Sequence, residues 1–203
     1  MMKHYLASAL AVLLFWSMAA VQATGEPATI VQSTTERVLE RVAEDKSALR
    51  EDPGRMYNLV SELIFPHFDF SIMSQWVLGD YWGGADEARR EAFVEQFRKL
   101  LVRTYATALL EFSGQQISYP PIDQKGGKNT ALVKQEISQP GGSSIPIVYR
   151  LHNKSGDWKV FDVSVDGVSL VKTYRASFGS MMKNGGLDGL IASLDNKNQQ
   201  YGN

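Results

Sequence analysis

The sequence predicts an α+β domain in which helices pack on one face of a curved antiparallel sheet of four or slightly more strands. The first observation is a change of period, because apolar residues recur at helical spacing up to Phe112 and alternate as in strands from Gln115 onward. The second is that short glycine-containing connections separate the strand candidates, which favours antiparallel neighbours. The third is that helical spacing returns after Gly167. Helices therefore precede and follow the sheet in the order of the chain.

The first 23 residues are typical of a secretory signal peptide. Lys3 supplies a basic start, residues 6–18 an apolar core, and Val21-Gln22-Ala23 a small-x-small cleavage site. A membrane anchor is the alternative, but the apolar run is short for a span of about 20 residues and no basic cluster follows it. We therefore expect export and cleavage after Ala23.

The mature chain is predicted to be one domain, because cleavage leaves 180 of the 203 residues. We expect this domain at residues 24–194 and a disordered polar tail at 195–203. The absence of cysteine means that the exported protein folds without disulfides, which fits a bacterial periplasm. Loss of Lys3 reduces the basic residues from 21 to 20 against 22 acidic ones, a net charge of −2, and no basic stripe indicates nucleic acid.

Helical periodicity before the sheet is interrupted by "EDPGR" at residues 51–55 and by Gly83-Gly84. The segment at 86–112 is the longest, and Asp86 and Glu87 favour a helix start there. The predicted helices are residues 27–49, 56–64, 69–79 and 86–112.

Strand alternation begins at Gln115. In the last strand Phe161, Val163 and Val165 share one face, and after Gly167 a helix begins that "NGG" at 184–186 ends. A short helix, "LDGLIASL", is predicted at 187–194. The strand candidates are residues 115–122, 130–137, 144–152 and 157–165.

Two interpretations of the apolar surfaces remain open. The stretch from Phe65 to Trp82 contains three Phe, two Trp, a Tyr and a Met in eighteen residues. Such residues form either a solid core between sheet and helices or the walls of a slot for an apolar ligand.

Catalytic chemistry finds little support in the sequence. The mature chain has two histidines, His67 and His152, in different contexts, and no cluster at metal-ligand spacing. There is no cysteine nucleophile, and the glycine-rich phosphate loops are absent. Asp69 and Asp162 are candidate pocket acids, but the favoured roles are a helix N-cap for Asp69 and a pairing with a surface cation for Asp162. We therefore predict no catalytic residue, no metal and no cofactor.

Three parts of the chain resemble the MlaC family, periplasmic phospholipid carriers also called toluene-tolerance auxiliary proteins. They are "FPHFDF" followed by "VLGDYW", then "FVEQFRKLLVRTYATALLEFSG", and then "DWKVFDVSVDGVSLVKTYRASF". The similarity covers nearly the whole mature chain.

The resemblance implies a soluble, monomeric carrier that is not an enzyme and has a lipid cavity between sheet and helices. Its cargo is phospholipid, with acyl chains inside and the head group near the mouth. The implied partners are an outer-membrane lipoprotein–porin complex and an inner-membrane ABC transporter with an MCE-type lipid-channel subunit. The implied result is lipid asymmetry of the outer membrane.

The resemblance also suggests which apolar residues line the cavity. The floor would come from the sheet, the wall from the long helix, and the closure of one end from the residues after the glycine turn. The nine candidates are Ile147, Tyr149, Val163 and Val165 for the floor, Phe97, Leu101 and Tyr105 for the wall, and Val168 and Val171 for the end.

Two rival functions are weighed against the carrier. An enzyme of the isomerase or dehydratase kind on a cone-like α+β fold would act on an apolar substrate and would need a pocket acid with a shifted pKa. A solute-binding protein for a polar ligand usually has two α/β lobes and a longer chain, and this chain shows no βαβ alternation. Lipid extracted from the denatured protein would separate the three functions.

Overall fold

The computed structural model describes residues 26–122, 127–139, 141–154 and 156–199. The predicted signal peptide and residues 200–203 of the predicted tail lie outside these ranges. The helices are α1 (Glu26–Glu44), α2 (Lys46–Glu51), α3 (Pro53–Leu63), α4 (Phe70–Leu78), α5 (Asp80–Gly84), α6 (Glu87–Leu110) and α7 (Leu170–Gln199). The strands are β1 (Ile117–Ser118), β2 (Thr130–Ile137), β3 (Ile145–Asn153), β4 (Trp158–Val165) and β5 (Val168–Ser169).

The predicted α+β class and the antiparallel sheet are confirmed. The sheet has five strands in the order β1-β2-β3-β4-β5, and each strand pairs antiparallel with the next. Strand β2 has the predicted bounds. The short strand β5 was not predicted, because its two residues follow Gly167 and fit the helical spacing of α7 equally well.

Local side-chain caps explain where several helices begin. The Asp52 carboxylate accepts hydrogen bonds from the backbone N–H groups of Gly54 and Arg55, so α3 begins at Pro53, three residues before the predicted start. The Asp86 carboxylate accepts from the Arg89 N–H at 2.9 Å and caps α6 as predicted. The predicted first helix is divided at Asp45 into α1 and α2.

Helix α7 continues beyond the predicted disordered boundary. Residues 195–199 are helical, contrary to the expectation for the tail. The Asn198 side-chain amide donates to the Gln96 carbonyl oxygen at 3.0 Å, and the Gln96 amide donates to Asp195 at 3.0 Å. These bonds to α6 hold a polar segment that lacks an apolar pattern of its own. The predicted break at "NGG" is present as a kink, where Gly186 has φ +65° and ψ −169°.

A β-bulge changes the predicted alternation of β4. Arg150 pairs with Asp162 and Leu151 pairs with Val160, so Phe161 is an extra residue in the ladder. Phe161 consequently packs with helices α4, α6 and α7, while Val163 packs on the opposite, α1-covered side. The prediction that Phe161 and Val163 share a face is therefore wrong.

Buried apolar residues form three clusters among the described residues. The α6–α7 cluster has fifteen buried members, from α4, α6, α7, Ala85 and the bulged Phe161. The α1–α3 cluster has eight, from α1, α2, α3 and α6. The sheet cluster has five buried members, Val31, Val133, Leu151, Val160 and Val163.

Gly79, between α4 and α5, has a conformation that only glycine adopts easily, with φ +58° and ψ −125°. A β-carbon added there would lie 2.9 Å from Nη2 of Arg175, whose Nη1 donates to the Trp76 carbonyl oxygen. We expect Gly79→Ala to lower the free energy of unfolding by about 1–3 kcal/mol in urea denaturation.

Gly83→Ala is the matched control, because nothing lies within 4 Å of its added β-carbon. Gly83 lies in the helix α5, so this variant should be unchanged or slightly more stable. Equal stability of the two variants would contradict the account of Gly79.

Candidate functional site

The sheet cluster lies on the side of the sheet that α1 covers. The cross-strand pairs Tyr149–Val163 and Ile147–Val165 place four of the predicted floor residues side by side. The half-buried members around its core are Ala28, Phe68, Tyr119, Ile147, Tyr149, Trp158, Val165 and Leu170.

The sheet cluster is less completely buried than the core beside it. Eight of its thirteen described members keep partial exposure, against nine of twenty-four in the α6–α7 cluster. A packed core is normally closed, so an apolar face with this much exposure is the part of the described chain best suited to exchange contacts with a ligand.

Helix α1 spans two of the clusters. Val38 and Val42 anchor its C-terminal half in the α1–α3 cluster. Its N-terminal half reaches the sheet cluster through Ala28 and Val31, which are small side chains. The cover over the sheet is therefore thin at one end of α1 and firmly attached at the other.

A polar network, buried at Gln135 and partly buried at its other members, lies within the sheet cluster. The Gln135 amide donates to the Tyr119 hydroxyl at 3.0 Å and to Thr35 Oγ1 at 3.2 Å, and the Tyr149 hydroxyl donates to Gln135 Oε1 at 2.8 Å. Burial raises the pKa of the Tyr149 phenol, and the nearby Tyr119 adds to this effect. The phenol therefore stays protonated and donates throughout the physiological pH range.

The sequence prediction missed this network. Val133 and Gln135 alternate on one face of β2, and a glutamine on an otherwise apolar face was the available signal. The strand register and the position of α1 were needed to bring Thr35 and Tyr119 to it, and neither can be deduced from spacing.

The remaining predicted residues lie elsewhere. Phe97 and Val171, 0 % and 4 % exposed, are buried in the α6–α7 cluster, and Leu101 packs against it. Tyr105 is 37 % exposed and hydrogen-bonds with Tyr174. The pKa of Tyr105 is raised to about 12, mainly by burial of the phenol and to a smaller extent by Tyr174. Val168 is 60 % exposed at the β5 edge. The nine residues thus do not surround one space in this structure.

Two surface clefts, of about 450 and 470 Å³, are present among the described residues. The first lies between α5, the start of α6 and the second half of α7, and the second lies where α1 meets α2. None of the nine predicted residues lines either cleft. Helix α1 covers the sheet cluster, whose members line neither of these two clefts.

The two candidate acids have structural roles. The Asp69 carboxylate accepts from the Ile72 N–H at 2.9 Å, which confirms the predicted N-cap of α4, and its other oxygen is 2.9 Å from His152 Nε2.

Asp162 is buried and accepts from the Ser169 hydroxyl at 2.7 Å and from the Val171 N–H at 3.2 Å. Asp162 thereby holds the start of α7 against the sheet.

The sequence predicts a surface cation as the partner of Asp162, and in the structure this cation is Arg150. Its Nη1 lies 3.7 Å from Asp162 Oδ2, and its guanidinium carbon is 5.0 Å from the centre of the Phe161 ring. The cation is half-buried rather than a free surface residue. Each of the two acids thus already has hydrogen-bonding or ionic partners, which leaves neither poised as an isolated pocket acid.

Within the described ranges, no group of three or more His, Cys, Asp or Glu side chains is arranged to hold a metal ion. In the same part of the chain, no helix combines the length and hydrophobicity needed to cross a bilayer.

Comparison with known proteins adds independent information. The family model described as MlaC protein matches residues 32–196. The intermembrane phospholipid transport system binding protein MlaC of Haemophilus influenzae is 26% identical over 177 residues, covering 86% of this chain and 83% of that protein. The toluene tolerance protein ttg2D of Pseudomonas putida is 29% identical over 163 residues, covering 80% of this chain and 75% of that protein.

A solved structure also matches the fold. The phospholipid-binding protein of Ralstonia solanacearum, determined in complex with a phospholipid, superimposes with a TM-score of 0.77 at 28% identity. The match covers 85% of this chain and 96% of that chain. The similarity therefore extends over nearly all the elements described above.

Proposed function

The chain belongs to the MlaC family, and from that premise we propose that it is a periplasmic phospholipid carrier. Its binding site is the sheet cluster beneath the N-terminal half of α1, with Ile147, Tyr149, Val163 and Val165 as the floor. The observation that carries this assignment is the incomplete burial of the cluster, in which eight of thirteen apolar members keep partial exposure. The phospholipid bound to the Ralstonia solanacearum protein supports the class of ligand.

Acyl chains enter by displacing the N-terminal half of α1. That half contributes to the sheet cluster only Val31, which is buried, and Ala28, which is partly buried, and burying one Val side chain contributes about 1.5–3 kcal/mol. An acyl chain of about sixteen carbons gains about 12 kcal/mol on leaving water. For a lipid that comes from water, this gain outweighs the contacts that it replaces, while Val38 and Val42 keep the other half of α1 attached.

The floor extends to the β5 edge of the sheet. Ile147, Val165 and Val168 form one cross-strand row, and Val168 is the member that reaches solvent. In this proposal the helix residues Phe97, Leu101 and Val171 stabilise the fold rather than line the lipid site, since they belong to a separate cluster. Tyr105 lies on the exposed side of α6 and is not part of the site.

Transport between membranes requires partners. A pocket as apolar as a bilayer makes transfer nearly neutral in free energy, and the chain has no nucleotide-binding motif to drive it. We assign the direction to an outer-membrane lipoprotein–porin complex and an inner-membrane ABC transporter with an MCE-type subunit. Lipid exchange with both would maintain the asymmetry of the outer membrane.

We expect protein purified from a periplasm to carry diacyl phospholipid, in roughly the proportions that the membrane offers. The reason is that the floor is apolar and that the buried network within it is uncharged, so neither selects a head-group charge. Denaturing extraction followed by lipid mass spectrometry measures this directly. Folded protein that is free of lipid and takes up none from phospholipid vesicles would overturn the proposal.

A further inference from the structure

The polar network within the sheet cluster is unusual for its position. Gln135 is 2 % exposed and lies on the same face as Val133, with Ile147 as its partner in β3. Aliphatic side chains at these positions would fill the space without buried polar atoms, which stabilise a protein only when every hydrogen bond is made. A role in packing alone does not require an amide at this place.

The network divides the floor into a polar and an apolar end. Gln135, Ile147, Val165 and Val168 form one row across β2, β3, β4 and β5. Neighbouring strands are about 4.8 Å apart, so the amide lies about 14 Å from the exposed Val168. A ligand lying along this row would meet a polar group at one end and aliphatic side chains along the rest.

When α1 lifts, the network presents hydrogen-bond donors to which a ligand acceptor can bind. The contact from Gln135 to Thr35 is its longest, 3.2 Å, and Thr35 is the one member contributed by α1. Thr35 also donates to the Val31 carbonyl oxygen at 2.8 Å, so its hydroxyl stays satisfied within α1 when the helix lifts. The Gln135 N–H that donated to Thr35 then loses its acceptor. The other Gln135 N–H donates to the Tyr119 oxygen, and this bond does not use the hydroxyl proton of Tyr119.

The four side chains carry no charge, which decides the kind of acceptor. An anionic phosphate buried beside uncharged donors would remain largely uncompensated, whereas a neutral carbonyl oxygen needs only one or two donors. In a glycerophospholipid the neutral acceptors are the ester carbonyl oxygens, which lie at the polar end of the acyl chains.

We propose that Gln135 and Tyr119 form a subsite that hydrogen-bonds the ester carbonyl oxygens of a diacyl phospholipid, replacing Thr35 when α1 lifts. Tyr149 is a positioning residue, because its hydroxyl donates to Gln135 Oε1 and fixes the amide with its N–H groups toward the ligand. The acyl chains extend along the row toward Val168. This inference rests on the proposed function and specifies which part of the lipid is recognised.

The test compares uptake of two lipids that differ only in the ester carbonyls. Delipidated protein is incubated with vesicles containing equal amounts of diacyl phosphatidylglycerol and its dialkyl ether analogue of the same chain length, and the bound lipids are measured by mass spectrometry. We expect the wild type to favour the ester by about fivefold, the factor that one neutral hydrogen bond contributes. Gln135→Met should bring the ratio close to one while total uptake continues.

Two further variants separate recognition from folding. Tyr119→Phe keeps the ring but removes a hydroxyl that both donates and holds one Gln135 N–H in place. It should also lower the ratio, which keeps the test decisive if Gln135→Met fails to fold. Thr35→Val should leave the ratio unchanged, because the lipid replaces Thr35. Equal uptake of both lipids by the wild type, or an unchanged preference in both Gln135→Met and Tyr119→Phe, would overturn the inference. Absence of any uptake by the wild type would instead overturn the proposed function.

Discussion

Phe97→Ala is expected to lower the free energy of unfolding by about 3–5 kcal/mol, the range for removing a fully buried aromatic side chain. Phe97 is 0 % exposed, and its ring centre is 5.6 Å from that of Phe93, 5.2 Å from that of Tyr174 and 6.2 Å from that of Phe178. A domain of this kind has a total stability of about 5–15 kcal/mol, so the variant should be largely destabilised. Urea denaturation of delipidated protein gives the value without a contribution from bound lipid.

Tyr105→Ala is the control on the same helix, since Tyr105 is 37 % exposed and should cost much less. The comparison distinguishes a core residue from a cavity wall. If Phe97→Ala kept nearly wild-type stability and lost its lipid, Phe97 would line the ligand site and the division between the two clusters would be incorrect.

Val163→Asp is expected to abolish lipid binding while leaving a cooperative fold. Val163 is 8 % exposed in the middle of the floor, and a carboxylate there would face the acyl chains, where an unpaired charge costs several kcal/mol. In the lipid-free protein, displacement of the thin N-terminal half of α1 admits water to this carboxylate. The two helical clusters do not contain residue 163 and should hold the rest of the fold together.

The measurements are circular dichroism, urea denaturation and lipid extraction, each compared with delipidated wild type. Val148→Asp is the matched control, because Val148 lies on the opposite face of the sheet and pairs with Lys134, and it should retain lipid. Unfolding of Val163→Asp relative to delipidated wild type would place Val163 in a closed core. A folded variant with undiminished lipid would remove it from the floor.

The features predicted correctly from the sequence depend on near neighbours in the chain. The caps of α4 and α6 join Asp69 to Ile72 and Asp86 to Arg89, three residues apart, so the sequence contains the whole interaction. Strand β2 was predicted with its observed bounds because alternation and flanking turns are local signals. The α+β class follows from the order of such segments, and the similarity of the sequence to one family indicated the kind of ligand.

The tertiary structure alone decided which apolar residues face one another. Periodicity identifies an apolar face but not the element that covers it. Phe97 and Val163 were therefore expected to enclose one space, whereas in the structure they lie in different clusters. The bulge at Phe161 depends on pairing between β3 and β4, and the bond between Gln135 and Thr35 joins residues 100 positions apart. Such contacts form because burial and hydrogen bonding are satisfied for the whole fold at once, and this is why the position of α1 over the sheet could not be deduced from the sequence by itself.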